Sequence, residues 1–286
     1  MTIADAIRAA ATRLAPTSET ARLDAELLMA HALGCSRSDM LLRAMRDPAP
    51  DGFDALIDRR AAHEPVAYIT GSAEFYGLDL QVSPAVLIPR GDSETLIDAA
   101  REHFADRAPP ARILDLGTGS GALLLAALSI WTGAEGVGLD ASMPALKQAH
   151  CNATKLAMAD RASFMRRSWH REGWRRGLHA FDLILCNPPY VEDDAELAPQ
   201  VRDHEPASAL FAGPEGLDDY RTLIPQIGDL LTDGGIAIFE IGAAQANAVA
   251  AIVRNQGLAC KFRRDLAGHS RAMIVSQGVG KAKGNL

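Results

Sequence analysis

The chain has 286 residues, 48% hydrophobic and 23% charged, with a formal net charge of -7. That length supports one large core or two modest ones, and nothing in the composition suggests disorder beyond the ends. The acidic balance argues against broad phosphate-backbone binding, and no apolar run reaches the roughly 18 residues of a membrane span. The amino terminus, with Asp5 and no basic segment, does not read as a signal peptide. Cys35, Cys151, Cys186 and Cys260 form no C-x-x-C pair, which suits a reducing cytoplasm and no metal site.

Residues 1–72 read as a helical domain with periodic apolar positions Leu23, Leu27, Leu28 and Leu33. Ser18 is expected to cap one helix and Ser36 or Ser38 another, with breaks at Gly34 and over Pro48 to Gly52. The segment holds no catalytic constellation. Its eight arginines against ten acidic residues argue against a nucleic-acid arm. A module that grips a protein substrate is the preferred reading, with a structural cap as the alternative. Residues 73–91 form a connector in which Glu74 to Pro89 alternates with period two around Gly77, as a β-hairpin does. Residues 92–277 alternate strands and helices, with strands expected at 112–117, 136–140, 181–186 and 235–241, which implies a parallel α/β sheet. Leu258 to Arg264 and Arg271 to Ser276 are expected to pair antiparallel at its edge, and residues 278–286 look like a loose tail.

Three motifs in the third segment carry chemistry. The first is Ile113-Leu114-Asp115-Leu116-Gly117-Thr118-Gly119-Ser120-Gly121, an apolar strand entering a glycine turn before the helical stretch Ala122 to Ile130. Glycines let a backbone approach a ligand closely, and the following helix start offers free N-H groups. Nicotinamide enzymes have related loops. The second is Asp140, which closes the strand from Gly136, where an acidic side chain can take both hydroxyls of a ribose. Without the glycine loop it would read equally as a helix cap ahead of Ser142 to His150.

The third is Asn187-Pro188-Pro189-Tyr190 at the end of the apolar run Phe181 to Cys186, where Cys186 reads as packing. A planar amide or base nitrogen has a delocalised lone pair, so a catalyst must orient its NH2 group. An Asn oxygen and a backbone carbonyl can each accept one of its N-H bonds. Two prolines leave those acceptors little freedom, and Tyr190 offers a flat face to a planar substrate or a sulfonium cation. Between the second and third motifs, Arg166, Arg167, Arg171, Arg175 and Arg176 cluster around Trp169 and Trp174, opposed only by Glu172. A solvated insertion is favoured for this patch over an RNA platform, and an acidic face of a protein partner is the other use for it.

In an open α/β sheet, ligands collect at the carboxyl ends of the strands, so the three motifs should converge. They describe an S-adenosylmethionine-dependent methyltransferase, since a dehydrogenase would leave Asn187 to Tyr190 without a task. From about Leu23 to Val275 the sequence resembles the bacterial release factor glutamine methyltransferases, the PrmC/HemK family. The likeness includes Glu64 to Gly71, Glu74-Phe75-Tyr76-Gly77, Val86-Leu87-Ile88-Pro89-Arg90, Ser93-Glu94, Glu205 to Leu210, Phe239-Glu240-Ile241-Gly242 and Asp265 to Arg271.

The resemblance implies a Rossmann-like class I AdoMet methyltransferase sheet behind a small N-terminal helical domain and a β-hairpin connector. It implies transfer to the side-chain amide nitrogen of the glutamine in the Gly-Gly-Gln motif of peptide chain release factors, leaving S-adenosylhomocysteine. Gly117, Thr118, Gly119, Ser120, Gly121 and Asp140 would bind the methionine and ribose parts of the cofactor, and Trp169 would lie near the adenine. Asn187, Pro188, Pro189 and Tyr190 would hold the glutamine, with Asn187 also touching the cofactor. Ser168 stands where Asp is typical of the family, and Gly91 and Ser93 stand where Pro and Thr are. Glu94 and Glu240 would neighbour the site in structural or hydrogen-bonding roles. The expected mechanism is direct in-line displacement without a covalent intermediate, and a monomer is the default for the architecture. The alternatives are an adenine-amine methyltransferase on DNA or RNA, which needs an unpaired or flipped base, and a non-catalytic AdoMet-binding translation factor.

Overall fold

In the computed structural model, residues 1–278 are described; most of the expected tail, residues 279–286, lies outside them. The chain divides into two compact units, one of residues 1–72, 82–84 and 197–205 and one of the rest.

The first unit is helical, with α1 (Ile3–Leu14), α2 (Ala21–Leu33), α3 (Arg37–Arg43), α4 (Phe53–Ala61), α5 (Val66–Thr70) and a single turn at Pro199–Arg202. Thr2 caps α1 by accepting from the Asp5 amide, and Ile3, Ala6, Ile7, Ala10 and Leu14 form its buried stripe. Ser36 caps α3 through the Asp39 amide, whereas Ser18 caps nothing. Its hydroxyl instead donates to Asp24 at 2.7 Å. The face of α2 also departs from the expected one. Leu23 and Leu27 are 41% and 37% exposed, while Asp24, Glu26, Leu28 and Met29 are buried. The apolar period points to the wrong face here because two acids turn inward to meet arginines. Arg60 donates to Asp24 at 2.7 Å, and Arg22 and Arg37 both reach Glu26.

The second unit begins in the hairpin of β1 (Ser72–Phe75) and β2 (Leu78–Gln81), whose turn places Tyr76 and Gly77 at positive φ. This hairpin is shorter than expected, because the segment from Val82 to Pro89 leaves the ladder. Glu94 accepts from the Tyr76 amide at 2.8 Å, so its carboxylate fastens the hairpin turn. The main sheet comprises β3 (Arg112–Leu116), β4 (Glu135–Asp140), β5 (Ala162–Arg166), β6 (Phe181–Cys186), β7 (Leu231–Glu240), β8 (Leu258–Arg264) and β9 (Ser270–Gln277), in the order β5-β4-β3-β6-β7-β9-β8. The first five strands in that order run parallel, and β9 pairs antiparallel with both β7 and β8. The expected sheet and closing pair are therefore present. The strand β5 was not anticipated, and β7 starts before the expected residue 235. Its early part is offset from β6 by a register shift next to Gly234, which has φ +82°.

Helices α6 (Glu94–Phe104), α7 (Ala122–Ile130), α8 (Met143–Lys155), α9 (Asp218–Ile227) and α10 (Ala246–Asn255) complete the unit. Alternation along the strands sorts side chains to two cores. Ile113, Leu183, Leu185, Ile236 and Ile238 meet α6 and α7, while Leu114, Ile184, Ala237 and Phe239 meet α9 and α10. The helix α7 is buried nearly all round, and it sits so close to β4 that a Cβ on Gly136 would stand 2.7 Å from Leu124.

Within the helical unit, the side chains of Arg60 and Asp24 are 5% and 8% exposed. Removing one partner of a buried pair strands the other charge, so Arg60→Met should lower unfolding stability by about 3–5 kcal/mol. A urea midpoint unchanged from wild type would refute this.

Candidate active site

The strand order reverses between β3 and β6, and ligand crevices open at such a switch point. The register makes the ends level. Leu116 pairs with Leu139 of β4 and with Cys186 of β6, so Gly117, Asp140 and Asn187 emerge side by side. They border a cleft of about 310 Å3 whose wall also includes Leu87, Trp169 and Pro189.

The glycine turn is held from below. The Gly119 amide donates to Asp140 Oδ2 at 3.0 Å, and the Thr118 hydroxyl donates to Asp115 Oδ2 at 2.7 Å. Gly117 has φ +75°, and a Cβ there would come within 3.3 Å of the Trp169 indole. Thr118 and Ser120 are buried, the latter with its carbonyl bound by Asn152. A Cβ on Gly121 would press on Leu125 and Ala149, so that glycine serves helix packing. Gly117 is thus the member of the turn that borders the cleft, while the others shape it.

Asp140 accepts from the Ser142 amide at 2.8 Å through its second oxygen, and Ser142 itself caps α8 through the Ala145 amide. Carboxylate oxygens have further lone pairs beyond these two bonds, so Asp140 retains acceptor capacity toward the cleft. Burial pushes its pKa upward, against the backbone N-H groups that favour its charge.

Trp169 borders the cleft and donates its indole N-H to Asp219 Oδ1, an oxygen that His170 Nε2 also approaches at 3.0 Å. Asp219 is 4% exposed and also faces the cleft. Burial raises its pKa while Trp169 and His170 favour the ionised form. Sequence reasoning missed this residue, because Asp218-Asp219 in the first turn of a helix looks like ordinary N-terminal charge. Ser168 lines the same cleft. Among the arginines, Arg166 donates to the Ala141 carbonyl and Arg175 reaches both the Gln226 carbonyl and Asp229. Trp174 is buried and bonds Gln226.

At Asn187 the side-chain Nδ2 donates to Ser93 Oγ at 3.2 Å. The Ser93 hydroxyl donates to Glu240 Oε2, and the Tyr190 hydroxyl donates to Glu240 Oε1 at 3.0 Å. Glu240 is 1% exposed, and burial raises its pKa against the pull of Ser93, Tyr190 and Arg271. Burial and the neighbouring Glu240 together push the Tyr190 phenol far upward, so it remains a donor. The Tyr190 ring packs against the core, Pro188 is buried, and Pro189 faces the cleft. Gln245 holds the Tyr190 carbonyl at 2.9 Å. Burial also raises the Cys186 thiol well above its ordinary range, consistent with packing rather than nucleophilic use.

Two family models match the chain, the PrmC N-terminal domain over residues 5–71 and the methyltransferase small domain over residues 93–203. The release factor glutamine methyltransferase of Bradyrhizobium diazoefficiens is 40% identical over 264 residues, covering 89% of this chain and 88% of its own. That of Moorella thermoacetica is 40% identical over 286 residues, covering 96% and 98%. The chain belongs to the release factor glutamine methyltransferase family. Its second unit has the Rossmann-like class I methyltransferase fold. The catalytic domain of hMettl16, solved with a MAT2A 3'UTR hairpin, shares the fold with a TM-score of 0.58 at 14% identity, over 79% of this chain and 83% of that one.

A methyltransferase of this family uses an AdoMet-type methyl donor, and the residues present fit one. Gly117 leaves space where a side chain would strike Trp169, Asp140 keeps acceptor capacity at the cleft, and the wall beside them is largely apolar.

Asp115 beneath the turn is fully enclosed, and one of its oxygens has no hydrogen-bond partner. Burial, with a smaller contribution from Asp140, pushes its pKa up to about 7. A carboxyl whose folded pKa lies above its unfolded value binds protons more tightly when folded, so it contributes stability at low pH that is lost as pH rises from about 4 through about 7. Asp115→Asn should remove that loss. Urea unfolding across this range would show a shallower decline in the variant, and parallel curves would sink the assignment.

Proposed function

We propose that this protein methylates the side-chain amide nitrogen of the glutamine in the Gly-Gly-Gln motif of peptide chain release factors, with S-adenosylmethionine as donor and S-adenosylhomocysteine as product. Beyond family membership, the observation that carries the reading is the state of Asn187. Its Nδ2 is committed to Ser93, which leaves Oδ1 as an acceptor beside Gly117 and Asp140. A primary amide or amine presents two N-H donors, and Oδ1 with a backbone carbonyl of the proline pair can take both.

The donor brings a methyl group on a positively charged sulfur with a neutral leaving group. Asp140 would take the ribose hydroxyls, the Gly117 backbone the methionine end, and Trp169, steadied by Asp219, would border the adenine. Holding the acceptor nitrogen in attack geometry is then the chief task, and positioning of this kind is worth up to about 7–11 kcal/mol. The nitrogen becomes acidic only as it is alkylated, so water can take its proton and no strong base is required. The helical unit, which exposes Leu23, Leu27 and Leu42, is assigned to gripping the protein substrate.

The deciding assay is methyl transfer from labelled S-adenosylmethionine to a release factor, beside a copy with the Gly-Gly-Gln glutamine replaced and beside unmethylated tRNA, rRNA and DNA. Label confined to the intact release factor is expected; label on a nucleic acid would overturn the reading in favour of an adenine-amine substrate. Asn187→Ala should lower kcat by about 10²–10³-fold, the usual cost of losing one positioned polar group. Equilibrium dialysis should find cofactor affinity retained in that variant.

A further inference from the structure

We infer that Glu240 and Ser93 are positioning residues that fix which face of the Asn187 amide meets the substrate. This rests on the function proposed above, because an acceptor at Asn187 matters only if an NH2 group is to be held.

The argument is one of hydrogen counting. An ionised carboxylate accepts and never donates. Glu240 receives the Ser93 hydroxyl on one oxygen and the Tyr190 hydroxyl on the other. A hydroxyl has one hydrogen, so Ser93, having given it to Glu240, can only accept from Asn187. The amide must therefore turn Nδ2 toward Ser93, and Oδ1 is left for the substrate. The two ends of an Asn amide have nearly the same shape, so packing alone cannot choose between them. Here the choice is made by a chain of donors anchored on a buried charge. Were Glu240 protonated, its own hydrogen would enter the chain and Ser93 would be free to donate to Oδ1. The amide would then present N-H groups to an N-H substrate, which repel.

The anchor is itself well fixed. The Tyr220 hydroxyl donates to the Glu240 carbonyl at 2.7 Å, and Tyr190, the last residue of the tetrapeptide, is pinned by the same carboxylate. Glu240 thus holds Tyr190 directly and Asn187 through Ser93, at the two ends of the tetrapeptide. The other ionisable groups around Glu240 are Arg271, Asp92 and Cys186, the last of them a buried thiol. Arg271 pairs with Asp92 at 3.0 Å and also reaches Asp265, while Ser93 and Tyr190 bond the Glu240 carboxylate.

Two measurements test this. In steady-state kinetics, Ser93→Ala should lower kcat by up to about 10²-fold through loss of alignment, with KM for the release factor and affinity for S-adenosylmethionine unchanged. Ser93→Thr, which keeps the hydroxyl, should restore most of the loss. Wild-type kcat in Ser93→Ala, or a loss confined to cofactor affinity, would overturn the inference. The second measurement is independent of the substrate. In asparagine-labelled protein, the Asn187 side-chain amide signals should shift with pH as Glu240 titrates, and Ser93→Ala and Glu240→Gln should each abolish that shift. Signals that ignore pH in wild type, or that respond equally in Ser93→Ala, would refute the relay. If wild type failed to methylate a release factor while its amide titrated as described, the substrate assignment would fall and the relay would stand.

Discussion

The cleft depends on the level ends of three parallel strands. Because Leu116, Leu139 and Cys186 are neighbours in the ladder, the residues that follow them are placed together by the register itself. A parallel sheet enforces this, since its pairing leaves no freedom to slide one strand past another once both faces are buried. Both faces are buried here, by α6 and α7 on one side and α9 and α10 on the other. The close seat of α7 against Gly136 packs the helix that follows the glycine turn directly onto β4.

On that platform the cleft is organised by buried and half-buried carboxylates. Asp140 ties the glycine turn to the start of α8, Asp219 holds Trp169 and His170, and Glu240 holds Ser93 and Tyr190. Each is pushed toward neutrality by burial and held by donors, most of them from distant parts of the chain. A buried acid with two well-aimed donors is a stiff joint, because moving either donor leaves an unsatisfied group at a cost of about 1–3 kcal/mol or more.

Much of this was legible beforehand. Strand ends, the glycine turn and the proline-restrained tetrapeptide all follow from local rules, and α7 and β6 fall where they are expected, after the glycine turn and before the tetrapeptide. What escaped was long-range. Ser93 and Asn187 are 94 residues apart, and nothing in Gly91-Asp92-Ser93 announces a partner. Asp219 looks like helix-end charge until Trp169 is seen to donate to it. In the helical unit, Leu23 and Leu27 advertise a buried face that Asp24 and Glu26 take instead, because paired arginines allow those acids inside.

On the function proposed, the same wiring suits a site that alkylates an amide without a dedicated base. Asp140, Asp219 and Glu240 each already accept two hydrogen bonds from the protein, which favours their charged form and fixes their orientation. That arrangement would be a defect in an enzyme that had to deprotonate its substrate first. For a nitrogen that loses its proton only after the new bond has begun to form, committing every acid to geometry is the better use of the charge. The electrostatics agree: a cleft bordered by Asp140 and Asp219 favours a cationic ligand, and the charge is lost in the transfer. On the function proposed, the acids favour binding of the charged donor, and the amide of Asn187, oriented by Ser93 and Glu240 as inferred above, would select what receives the methyl group.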